Sequence, residues 1–155
     1  MLNQARIEDL IRLAQAEAAK AAAEGNPPFG AVLTDAGGNV VATGHNTQIT
    51  DTDPTAHGEI TLLRAAAKQL GTLTFPGYRL FSNAEPCSMC MSAIIKAGIR
   101  DVYYGAPHES HLNPYLPAAE VAARSKEPVN LHPGILAEDC ARQIAEARAA
   151  RPPVD

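Results

Sequence analysis

The chain has 155 residues and a mass of 16.3 kDa, the size of one compact domain and short for two. Apolar residues make up 46% of it, enough for a proper core, while a formal net charge of −4 argues against a surface built to hold a polynucleotide by counterion release. No apolar run approaches the roughly 18 residues that cross a bilayer, and the charges at Arg6, Glu8, Asp9 and Arg12 interrupt what a signal peptide would keep apolar.

In chain order, residues 3–24 read as a helix with Ile7, Leu10, Ile11, Ala14, Ala18 and Ala21 on one face, stopped by Gly25-Asn26-Pro27-Pro28. Residues 29–35 read as a buried strand, 35–39 (DAGGN) as a turn, and 40–45 as the returning strand of a hairpin. After polar, turn-forming sequence at 50–54, residues 55–69 repeat the helical pattern and Gly71 closes it. A short strand at 77–81 leads through Asn83-Ala84-Glu85-Pro86 into a helix over 87–97, and a strand follows at 101–104. Residues 105–117, with three prolines and two histidines, read as loop; a short helix (118–124), a strand (128–132) and a closing helix (137–149) precede the tail RPPVD, mobile or docked on the surface. Strands alternating with helices predict a single α/β domain spanning 1–155. Its expected form is a three-layer α/β/α sandwich around a mixed sheet of about five strands, antiparallel at the first hairpin.

Two segments carry chemistry, His57-Gly58-Glu59 and Pro86-Cys87-Ser88-Met89-Cys90. Cysteines three apart lie on one face of a helix, and Pro86 suits a strand running into that helix. If Cys87 opens the helix, the dipole there is expected to lower both thiol pKa values. With an odd total of three cysteines, the pattern fits reduced metal or redox chemistry and a cytoplasmic protein rather than a disulfide framework. Taken alone, the CxxC fits a redox dithiol equally well. The His-x-Glu pair shifts the balance: residues two apart in a helix point nearly opposite ways, so both serve one site only from a helix N-terminus. Two helices aiming their N-termini at one spot would bring together His57, Cys87 and Cys90, a donor set that suits zinc. Three protein ligands leave a position for water, whose pKa zinc lowers to about 7, and Glu59 beside it is suited to carry protons.

These motifs resemble the zinc-dependent deaminases of the cytidine deaminase-like superfamily, whose signature is H-x-E with P-C-x-x-C, over roughly residues 5–105. The resemblance implies that fold, one zinc per chain, hydrolytic removal of an exocyclic amine as ammonia, and a homodimer. A cytidine deaminase proper would carry Cys at position 57. Pro28-Phe29-Gly30-Ala31, Asp53-Pro54-Thr55-Ala56-His57 and Glu85-Pro86-Cys87 are similar to bacterial guanine deaminases, and His57-Gly58-Glu59 to fungal-type cytosine deaminases; Gly44-His45-Asn46 is common to both. Bacterial tRNA adenosine deaminases share the zinc motifs but are usually more basic. Beyond residue 105 the chain departs from all of these, lacking the Gly-Phe-Asp-Asp segment of the guanine enzymes and any tryptophan for the aromatic lid of the cytosine enzymes.

The resemblance makes Glu59 the proton carrier and Asn46 a base-reading amide. It sets Phe29 at the pocket wall, the Gly58 N–H against a base oxygen and the Glu85 carbonyl against the leaving amine. His108, Glu109, His111 and Tyr115 belong to a substrate lid or to a solvated turn. Cys140, with Leu136 and Ile144, reads as a buried small apolar residue, and Arg142, Glu146 and Arg148 as an ordinary charged helix face. The expected substrate is a small amino-heterocycle: guanine, cytosine, or a modified, aza-ring or s-triazine analogue. The alternatives are tRNA adenosine deamination and a zinc-binding structural module without turnover. A membrane partner is excluded and nucleic acid is disfavoured.

Overall fold

A computed structural model describes residues 2–151. Its elements are α1 (Gln4–Ala23), β1 (Gly30–Thr34), β2 (Val40–His45), α2 (Gly58–Leu70), β3 (Arg79–Ala84), α3 (Ser88–Lys96), β4 (Asp101–Ala106), α4 (Ala118–Ala123), β5 (Asn130–His132) and α5 (Ala137–Ala150). The sheet order is β2-β1-β3-β4-β5. β1 runs antiparallel to both β2 and β3, whereas β3, β4 and β5 are mutually parallel, the mixed five-stranded sheet that the sequence predicts.

Alternation along the strands divides the core into two layers. Leu33, Leu80 and Val102 face α2, α3 and α4, packing with Leu62, Met91, Ile94 and Ala118. Their strand neighbours Val32, Phe81 and Tyr103 face α1 and α5, packing with Leu10, Ile11, Cys140 and Ile144. Cys140 is therefore the small buried apolar residue expected.

Several boundaries differ from the sequence expectation, each for a local reason. The second helix starts at Gly58 rather than 55, because Asp53 Oδ1 accepts from both Thr55 N (2.8 Å) and Thr55 Oγ1 (2.7 Å) and closes a turn ahead of it. β3 is displaced to Arg79–Ala84: a turn with Tyr78 N donating to Phe75 O delays its start, and pairing with β4 carries it past Phe81. β4 likewise extends to Ala106, so the loop is shorter than 105–117, and β5 is only Asn130–His132. Of the tail, residues 152–155 lie outside those described. α1 also buries Glu17 within its apolar face; His45 at the end of β2 lies between Glu17 Oε2 (2.9 Å) and Glu24 Oε1 (2.7 Å).

One close approach sets how α1 lies on the sheet. A Cβ on Gly30 would sit 2.4 Å from Ala14 O and 2.5 Å from Ala18 N, against helix backbone that cannot swing aside. Gly30→Ala is expected to cost about 1–3 kcal/mol by overpacking and to lower Tm by about 2–4 °C per kcal/mol in a chain of this size. Thermal unfolding followed by circular dichroism measures it.

Candidate active site

The site lies at the end of the sheet where β3 and β4 finish and β1 begins. β3 runs into Glu85-Pro86 and then α3, while the 51–57 turns deliver α2 to the same end. His57 is the N-cap of α2 and Cys87 the N-cap of α3; both have extended backbone, and neither side chain makes a capping hydrogen bond. The side chains turn instead toward each other, with His57 Nδ1 3.5 Å from both Cys87 Sγ and Cys90 Sγ. Zinc bonds of about 2.3 Å to sulfur and 2.0–2.1 Å to nitrogen, at a tetrahedral angle, separate the two donors by about 3.5 Å. The three donor atoms, all within 4.8 Å of one another, thus fit one zinc ion.

Glu59, in the first turn of α2, is 4% exposed, and its Oε1 accepts from Ser82 Oγ at 3.2 Å. Burial pushes its carboxyl pKa up despite the Cys90, His57 and Ser82 contacts that oppose the rise. The thiols do not shift together as the helix dipole alone predicts. Hydrogen bonding from Cys90, and then from His57, lowers Cys87 to about 4, whereas Cys90, bonded to that thiolate, buried and beside Glu59, is pushed well up. The pair holds one proton between two sulfurs, which outweighs the dipole. His57 is raised: the Cys87 bond and the Glu59 charge prevail over burial. A divalent cation reverses this for Cys90, because a coordinating thiol is deprotonated outright.

A cavity of about 660 Å³ opens from His57, Glu59 and Cys87. Of the residues expected at a substrate, Asn46, Phe29, Glu85, His108 and Glu109 line it. Asn46 is buried, its Nδ2 donating to Gln48 Oε1 (2.7 Å) and its Oδ1 accepting from Gln48 N (2.9 Å); each end of the amide keeps further capacity. Two expected residues stand elsewhere. Gly58 packs against the β1 entrance, where a Cβ would meet Phe29 O at 3.3 Å, and Tyr115 is half-exposed outside the cavity with its ring tilted on His108 at 5.2 Å.

Three contributors are absent from the sequence expectation. Ser82 holds Glu59, and buried Asn83 accepts from Gly30 N (3.0 Å) while donating to Pro28 O (3.0 Å). A polar pair following the apolar Leu80-Phe81 was the available signal. Arg148 is no ordinary charged face: it lines the cavity, pairs with Glu109 at 2.6 Å and lies 5.6 Å over the Phe29 ring. Only the packing of α5 brings it there.

The cytidine and deoxycytidylate deaminase zinc-binding region matches residues 4–106. The chain belongs to this family. It is 40% identical over 99 residues to a tRNA-specific adenosine deaminase of Haemophilus influenzae, covering 64% of this chain. It is 43% identical over 81 residues to the guanine deaminase of Bacillus subtilis, covering 52% of this chain. The matches span 57% and 51% of those two curated proteins. A solved tRNA:A34 deaminase superposes with a TM-score of 0.76 at 33% identity, covering 87% of this chain and 98% of its own. Membership agrees with the donor set: the family is named for the zinc that His57, Cys87 and Cys90 fit. Among the described residues no helix is long and apolar enough to cross a membrane.

Metal analysis of the protein as isolated is expected to give one zinc per chain. Cys90→Ala is expected to lose the metal together with much of the thermal stability, since ligation free energy is folding free energy.

Proposed function

We propose that this protein is a zinc-dependent aminohydrolase that converts the exocyclic amine of a small nucleobase-like ring to a carbonyl and ammonia. The observation that carries the reading is the buried carboxyl of Glu59, held by Ser82 in the wall of the cavity that also contains His57 and Cys87. His57, Cys87 and Cys90 would hold zinc, which would supply Lewis acidity toward a water molecule. Glu59 takes a proton from the attacking water and passes it to a ring nitrogen. Oxygen adds to the amine-bearing carbon, Glu59 delivers the second proton to the nitrogen that leaves, and a carbonyl remains. Asn46, with unused donor and acceptor capacity, reads the ring edge, Phe29 forms a wall, and the Glu85 carbonyl receives the leaving amine.

A volume of about 660 Å³ lies in the range of small-molecule pockets. His108 and Glu109 bring the 107–114 loop over it and Arg148 brings α5, which supports a small amino-heterocycle such as guanine, cytosine or an aza-ring analogue. We read residues 1–155 as one domain, acting in the cytoplasm as a homodimer. A second reading, tRNA adenosine deamination, is favoured by the 33% identity to the tRNA:A34 deaminase over nearly its whole length. A structural zinc module without turnover would have no use for Glu59.

Ammonia release from a panel of amino-heterocycles decides between the first two. A free base is expected to turn over with little response to moderate salt, whereas inosine formed only in a tRNA anticodon stem-loop, with steep salt dependence, selects the second. Glu59→Ala is expected to retain zinc and lose turnover by about 10²–10⁴; near-normal kcat in that variant removes Glu59 from the mechanism.

A further inference from the structure

The Glu85 side chain has no part in the chemistry above, yet its surroundings are specific. Its backbone N donates to Ala106 O at 2.8 Å, continuing the β3–β4 pairing one residue past the strand. Its carboxylate then reaches across to the loop that follows β4. Oε1 accepts from His108 N at 3.2 Å and Oε2 from Ala118 N at 3.0 Å. One carboxylate therefore holds both ends of the segment running from His108 to Ala118, and that segment forms one wall of the cavity through His108, Glu109, Leu112 and Pro114.

The group is fixed in place. Its side chain is 11% exposed, and the His108 side chain beside it is 3% exposed with Nδ1 3.5 Å from Oε2, longer than a good hydrogen bond. Tyr104 stands next to it as well: burial first, and then the Glu85 charge, push that phenol up. Bonds from backbone N–H to a carboxylate are charge-assisted and stronger than neutral ones. Next to the His108 end, Glu109 has a separate tie to Arg148 on α5 at 2.6 Å.

Resting on the reading of this cavity as the substrate site, we infer that Glu85 is a positioning residue, whose carboxylate clamps both ends of the 108–118 loop and sets that wall relative to the zinc ligands. Glu85 is two residues from Cys87, so the loop and the metal are referred to one short stretch of chain. A loop closed at its ends by one side chain needs no secondary structure of its own to hold its shape, because the closure entropy is met at two defined bonds. The wall is thereby held in place relative to Glu85 and the Cys87 that follows it.

Hydrogen exchange read by mass spectrometry on the zinc-loaded protein tests this. Glu85→Gln keeps one acceptor oxygen and sets an NH₂ against the other N–H; Glu85→Ala removes both acceptors. Exchange over 108–118 is expected to quicken by roughly tenfold in the Gln variant and further in the Ala variant, with α3 protection and zinc content unchanged. Ala118→Pro removes one donor while leaving Glu85 intact. Proline suits the first position of a helix, and Pro117 already has ψ 148°, compatible with a following proline; the same loop is expected to loosen. Unchanged exchange over 108–118, or quickening that spreads through α3 with loss of zinc, overturns the inference. On a base that the wild-type protein deaminates, Glu85→Gln is expected to raise KM several-fold with kcat within about twofold, and a fall in kcat at constant KM counts against it. The exchange readout needs no turnover, so failure of the deaminase reading leaves it decisive.

Discussion

Two helix N-termini facing one point repel each other, since each presents unsatisfied N–H groups and the positive end of a dipole. In this protein α2 and α3 do so, and the residues in the two N-cap positions, His57 and Cys87, make no capping bond. Forgoing a good cap costs about 1 kcal/mol at each helix. One group gathered there is readily made anionic: the Cys87 thiol, which hydrogen bonding from Cys90 and then His57 lowers to about 4. That thiolate stabilises both helix ends, and a zinc ion held by His57, Cys87 and Cys90 would deprotonate Cys90 as well and balance the two charges. The metal site and the juxtaposition of the two helices are a single electrostatic solution.

Holding that geometry requires the sheet to approach both helices closely. Gly44 on β2 lets α2 lie against the strand, since a Cβ there would fall 2.7 Å from Leu62 N and 2.9 Å from Gly58 O. On the other side Asn83 uses both ends of its amide to tie the Pro28–Gly30 turn to β3. Ser82, one residue earlier, reaches Glu59. Consecutive residues on a strand face opposite layers, so Ser82 serves the chemical side while Asn83 fixes the approach of β1. The helices that carry His57, Cys87 and Cys90 are thus held by contacts that are mostly backbone or short polar side chains, with little freedom to relax.

The sequence made the zinc ligands legible because their spacing is dictated by the metal and by helix geometry, both local. The element order was legible for the same reason: periodicity and Gly-Pro punctuation act over a few residues. Element ends were less so. The start of α2 depends on what the Asp53 carboxylate chooses to accept, and the length of β3 on how far its pairing with β4 runs. The thiol pair misled a local argument, since the dipole acts on both sulfurs equally while the hydrogen bond they share lowers Cys87 and raises Cys90. Arg148 was opaque: nothing near it in the chain distinguishes it from Arg142, and only the docking of α5 on the sheet turns one of them toward the cavity.

That opacity has a structural logic. The family match ends at residue 106, where β4 ends, and by then every zinc ligand and Glu59 are in place. The opposite wall of the cavity comes from the 107–114 loop and α5, held by Glu85 and by the Glu109–Arg148 pair. The reacting centre needs donor atoms set to within tenths of an ångström, which constrains the sequence tightly and leaves a readable motif. A wall that need only exclude water and fit one ring can be built from many sequences, provided something rigid anchors it. On the proposed reading, reaction and selectivity would reside in different stretches of one chain, joined at Glu85, whose carboxylate holds His108 N and Ala118 N two residues ahead of Cys87.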